Sequence, residues 1–62
     1  MFVVRFVRRD RQPAEEYYYN TIEEARWHLG LFRDDDSELY KRIELSERGN
    51  PENIIEKFEF IY

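Results

Sequence analysis

The chain has 62 residues, with five Tyr, five Phe, one Trp, one His, two Gly, no Cys and a net charge of −4. That length makes one domain, which buries roughly 60% of its unfolded surface, and the side chains exclude a disulfide framework or a dense zinc site as staples. Residues 1–13 hold four arginines against one aspartate, net +3, while residues 14–62 hold six basic against thirteen acidic side chains, net −7, which disfavours a general affinity for phosphate backbones.

Aromatic mass must therefore supply the core, since each buried ring removes about 150–250 Å² from water. A second subunit could complete such a core. The opening apolar run is broken by Arg5 and is too short for a membrane span, and it lacks the pattern of a signal peptide. A cytoplasmic location with no membrane partner is expected.

Phe2–Arg8 reads as the first strand. Phe2, Val4 and Phe6 share one parity, with Val3, Arg5 and Val7 on the other. The Phe side carries the larger rings and no charge, so it is assigned to the core. A polar connection with Pro13 follows, then a short tyrosine-rich strand, Glu15–Tyr19. In it Tyr17 and Tyr19 point one way and Tyr18 the other. The two strands would form a hairpin with a wide loop.

Residues 20–30 read as the only helix. Thr21 and Glu24 have the spacing of a capping box, in which the hydroxyl takes the Glu24 amide and the carboxylate returns to the Thr21 amide. Glu23 and Glu24 lie in the first turn, where the helix field favours negative charge. Ile22, Ala25 and Leu29 form one apolar face. Gly30 is expected to take a left-handed conformation and end the helix, with Leu31 and Phe32 folding back onto that face. Trp27 lies off the stripe, so it packs under a loop or stands exposed.

An acidic loop containing Asp34, Asp35 and Asp36 comes next, and Asp36 or Ser37 could cap a further helical turn. A third strand is expected over residues 40–48, with Ile43 and Leu45 inward and Tyr40, Arg42, Glu44 and Ser46 outward. Gly49, Asn50 and Pro51 signal a turn. The last strand is expected over residues 53–62. Ile54, Phe58, Phe60 and Tyr62 are assigned to one side, and Ile55, Lys57, Glu59 and Ile61 to the other. The fold class is α+β: one helix on one face of a four-stranded, mostly antiparallel sheet in the order β-β-α-β-β. The outer face would then carry Val3, Val7, Tyr18, Tyr40, Ile55 and Ile61 among Arg5, Arg42, Lys57 and Glu59.

The short aromatic strand, the run Asn20-Thr21-Ile22-Glu23-Glu24-Ala25, the acidic loop and Glu38 through Leu45 together resemble small uncharacterised proteins of bacterial genomes and their mobile elements. The resemblance covers about half of the chain. It concerns structure, and it implies no functional residue.

Few side chains are placed for chemistry. His28 would need an orienting carboxylate to act as a base, and Glu24 stands four residues before it. A surface or flank histidine is the simpler reading. Asp34, Asp36 and Glu38 alternate as in a calcium loop, but the glycine and glutamate that an EF-hand requires are replaced by Leu39 and Leu45. No Gly-X-Ser-X-Gly elbow or phosphate-cradling glycine loop occurs. No catalytic residue, metal or cofactor is therefore expected. Arg5, Arg8, Arg9 and Arg11, with Tyr17, Tyr18 and Tyr19 as stacking surfaces, could contact nucleic acid. The favoured reading is that they are solubilising charges that guard a sheet edge or pair with Glu15 and Glu16. Tyr, Trp and Arg are enriched at binding hot spots. The sequence thus points first to a non-catalytic module that binds another protein or itself, as a homodimer, through Val3, Val7, Tyr18, Trp27, Tyr40, Ile55 and Ile61.

Overall fold

A computed structural model of the chain describes residues 1–34 and 37–61. It contains β1 (Phe2–Arg8), β2 (Glu15–Tyr19), α1 (Ile22–Leu31), β3 (Tyr40–Glu47) and β4 (Asn50–Glu59). The four strands form one antiparallel sheet in the order β2-β1-β3-β4. Both β2 and β3 pair antiparallel with β1, so they run in the same direction on either side of it. The chain must return to its starting end between them, and α1 makes that return across one face of the sheet.

Val4, Phe6, Ala25, Leu29, Ile43 and Leu45 are the buried core between helix and sheet. Phe2, Tyr19, Ile22, Phe32, Tyr40, Ile55, Phe58 and Phe60 pack around it. The Phe2–Val4–Phe6 side of β1 thus faces the helix as its parity requires. Phe6 is the hub, with ring centroids of Phe32, Tyr40 and Tyr17 at 4.9, 5.2 and 5.5 Å.

Thr21 caps α1: its Oγ1 accepts the Glu24 amide at 3.3 Å. The return bond from the Glu24 carboxylate is not made. Gly30 does not end the helix, and Gly49 is the glycine with positive φ, at 89°. The helix runs on through Leu31, with Phe32 at its C-cap and the Phe32 amide donating to the Leu29 carbonyl at 3.3 Å. Phe32 is anchored on Phe6, and that anchor keeps the last turn wound past the glycine. Leu31 is carried outward instead of folding back, and is 59% exposed.

The ladders are irregular at three points, between Val7 and Arg8, between Leu45 and Ser46 and between Ser46 and Glu47, and the first two change which residues face the helix. Val7 pairs with Arg42 but Arg8 pairs with Tyr40, so Lys41 is an extra residue and the parity of Tyr40 is reversed. Tyr40, expected outside, stacks on Phe6 and Phe32 on the helix side. Likewise Leu45 pairs with Glu56 and Ser46 with Ile54, leaving Ile55 as the extra residue. Ile55 therefore packs on the core, while Ile54 takes the outer face, 39% exposed. The β3–β4 hairpin turns at Arg48 and Gly49, earlier than expected, so Asn50 and Pro51 already belong to β4. A proline is tolerated there because β4 is an edge strand. The expected inward Tyr62 and the capping role of Asp36 lie outside the described residues, as does Asp35. Ser37 accepts the Leu39 amide, but no helical turn forms there. No described helix is long and apolar enough to cross a membrane.

Candidate functional site

The sheet face away from the helix is built of cross-strand rows. Across β2, β1, β3 and β4 one row reads Glu16, Arg5, Glu44, Lys57, with alternating sign. The next, toward the far end of β1, reads Val7, Arg42, Glu59. Ion pairs tie the rows together along the strands, with Arg42 Nε 3.3 Å from Glu44 Oε1 and Lys57 Nζ 3.3 Å from Glu59 Oε1. Glu44 is thereby held almost wholly buried without an orphaned polar atom. The remaining row is the most apolar: Tyr18, Val3, Ser46, Ile54. Val3 and Ser46 are closed over at its centre, so only Tyr18 and Ile54 reach solvent. The Arg48 guanidinium sits 5.2 Å above the Tyr18 ring.

The seven residues read as one interaction surface are thus distributed over several places. Val3, Val7 and Tyr18 are on the outer face, Tyr40 and Ile55 on the helix side, and Ile61 lies 96% exposed beyond β4. Trp27 stands apart on the outward side of α1, 68% exposed.

The arginines of the first hairpin are also separated. Arg5 lies in the alternating row of the outer face. Arg8 is held by Asp10, at 2.6 Å, and by Glu15, at 3.3 Å, on the helix side. The Arg9 amide donates to the Leu39 carbonyl, and Arg11 turns the loop with φ 65°. Tyr17 and Tyr19 share the helix side, Tyr18 the opposite one. Arg5 and Arg8 thus lie on opposite sides of the sheet, as do Tyr18 and its two neighbouring tyrosines.

Glu15 is the centre of a polar cluster. Its Oε2 accepts Arg8 Nη1 at 3.3 Å and the Tyr40 hydroxyl at 3.1 Å, and its Oε1 accepts the Tyr17 hydroxyl at 3.1 Å. Burial pushes the Glu15 carboxyl up, but the hydrogen bonds from Tyr17, Tyr40 and Arg8 outweigh it and hold it below the usual range. The Arg8 hydrogen bond lowers Asp10 to about 2. This cluster pins the β1–β2 loop.

His28, expected as a surface or flank residue, is instead packed partly inside. It sits half-buried among the rings of Tyr17, Phe6 and Phe32, with centroids at 5.0, 5.2 and 5.5 Å, and its Nδ1 is hydrogen-bonded to the Tyr19 hydroxyl. Glu24 is not its partner. Burial lowers the His28 pKa. Among the described residues, no group of three potential ligands could hold a metal ion.

One hollow, of about 390 Å³, opens where β2 meets α1, lined by Tyr19, Glu23, Glu24 and Trp27. Helical spacing makes it: Glu23 and Glu24 lie four and three residues before Trp27, on one side of the rod. Tyr19 closes the opposite wall from the end of β2. Leu31 continues the strip one turn beyond Trp27. The i, i+4, i+8 spacing of Glu23, Trp27 and Leu31 could have shown this strip in the sequence. The part played by Tyr19 could not, because it requires the strand's position. Compared with protein-family models, with curated proteins and with solved structures, the chain matches none.

Proposed function

We propose that the domain is a small, non-catalytic module that binds another protein through the outward side of α1. The observation that carries this reading is the pairing of Trp27, 68% exposed, with Leu31, 59% exposed, on adjacent turns of the helix. A scattered apolar side chain needs no explanation. A tryptophan and a leucine held side by side on the solvent face of a ten-residue helix do. A tryptophan at a desolvated contact is among the strongest contributors to binding. The cysteine-free chain is in keeping with a cytoplasmic role. The test is retention from a cell extract by the immobilised domain and by a Trp27→Ala/Leu31→Ala variant of equal stability. Proteins retained by the first and lost by the second support the reading; retention that ignores the substitutions overturns it.

A second reading, a homodimer through the outer sheet face, draws support from Tyr18 and Ile54, exposed at the ends of the most apolar row. It requires about 1,200 Å² or more of buried surface. Sedimentation equilibrium at high micromolar concentration should then give a dimer, and a monomer overturns it.

A further inference from the structure

We propose that the hollow between β2 and α1 is a seat for a cationic side chain, a lysine or arginine carried on a basic polypeptide segment. The inference rests on the protein-binding reading and names the chemistry of the partner. Tyr19, Trp27, Glu23 and Glu24 line it with an almost wholly apolar surface, the glutamates through their methylene stems, and both glutamates are exposed to solvent. An aromatic face attracts a cation through its quadrupole. A nearby carboxylate adds a charge-assisted hydrogen bond. Long basic side chains suit such a place, because the methylene stem lies on the ring while the charged head reaches the acid.

Acids in the first turn of a helix are ordinary, since they answer the helix field. That role alone does not account for this arrangement. Neither carboxylate makes a hydrogen bond or an ion pair with a described residue, and Glu24 forgoes the return bond of the capping box. The Tyr19 hydroxyl is already taken by His28, so Tyr19 offers the hollow its ring. Trp27 stands open beside both acids instead of packing on the core. The net charge of −4 draws a basic partner and repels an acidic one. Leu31 extends the apolar strip past the hollow, so the occupant is longer than a lone ammonium ion.

The emission of Trp27, the sole tryptophan, reports occupancy directly. The domain is titrated with a capped lysine–leucine peptide free of aromatic residues, and with the same peptide bearing glutamate for lysine. A saturable change with the lysine peptide only is expected. The double variant Glu23→Gln/Glu24→Gln keeps the Thr21 cap and should weaken binding about tenfold or more through loss of both carboxylates. Raising salt from about 0.01 M to about 1 M, which shortens the screening length from about 30 Å to about 3 Å, should weaken it too. Equal response to both peptides overturns the cation seat but leaves the protein-binding reading standing. So does unchanged affinity in the double variant. No saturable response to either peptide overturns the seat as well, and the extract experiment then decides the broader reading by itself. A concentration-dependent emission change without peptide would put a second copy in the hollow and overturn the proposal.

Discussion

The Tyr40 hydroxyl donates to Glu15 Oε2 at 3.1 Å across 25 residues of sequence. The extra residue Lys41 makes this bond possible, because it turns Tyr40 from the outer face to the helix side. There Tyr40 joins the start of β3 to the start of β2 without a backbone ladder between them. Tyr40→Phe keeps the ring against Phe6 and removes only this bond to a charged acceptor, so it should cost about 1.5 kcal/mol, read as a lower urea midpoint with an unchanged slope.

The two glycines should respond to alanine with opposite signs. Gly30 lies inside the helix, and an added Cβ there meets nothing within 4 Å. Gly30→Ala should stabilise by about 0.5–1 kcal/mol. Gly49 also has open space around it, but its φ of 89° is strained for any L side chain. Gly49→Ala should destabilise by about 1–2 kcal/mol. Thermal unfolding of the two variants checks both.

His28 sits half-buried among rings, and burial lowers its pKa below the ordinary 6.5. The folded state then binds fewer protons than the unfolded state as pH falls through that ordinary value. Stability is therefore complete above about pH 6.5 and declines toward the folded-state pKa. A urea midpoint lower at about pH 5.5 than at about pH 7.5 is expected. His28→Phe should remove most of that difference, since the Asp10 and Glu15 carboxyls, both lowered, titrate in more acid solution.

Trp27→Ala should change stability by no more than about 0.5 kcal/mol, because an exposed side chain away from the core contributes little to folding. The wild-type protein should show red-shifted emission and ready quenching by iodide or acrylamide. A large loss of stability would make Trp27 a structural residue and remove the main support for a binding surface on α1.

The parts of the fold that were legible in the sequence are those governed by local rules. The Thr21 cap needs only the three residues after it, and the Phe2–Val4–Phe6 side needs only strand parity. Tyr40, Ile54 and Ile55 were misplaced because parity holds only while pairing is regular. An extra residue at Lys41 or Ile55 is defined by the partner strand, which sequence spacing does not reveal. Gly30 was misread for a related reason: its preference for ending a helix is overruled by Phe32, anchored on a strand 26 positions earlier. At the candidate site, the rotation of Trp27 away from the apolar stripe was visible in the sequence. The hollow was not, since one of its four lining residues, Tyr19, comes from another element.

The alternating charges of the outer face carry a consequence for strand assembly. A strand displaced by two residues keeps its apolar side toward the helix, so greasy packing alone would accept the error. Electrostatics would not: one such displacement sets Arg42 against Arg5, and another sets Glu59 against Glu44. In a domain with so little interior to enforce alignment, this checkerboard acts as a proofreading key for how the strands come together.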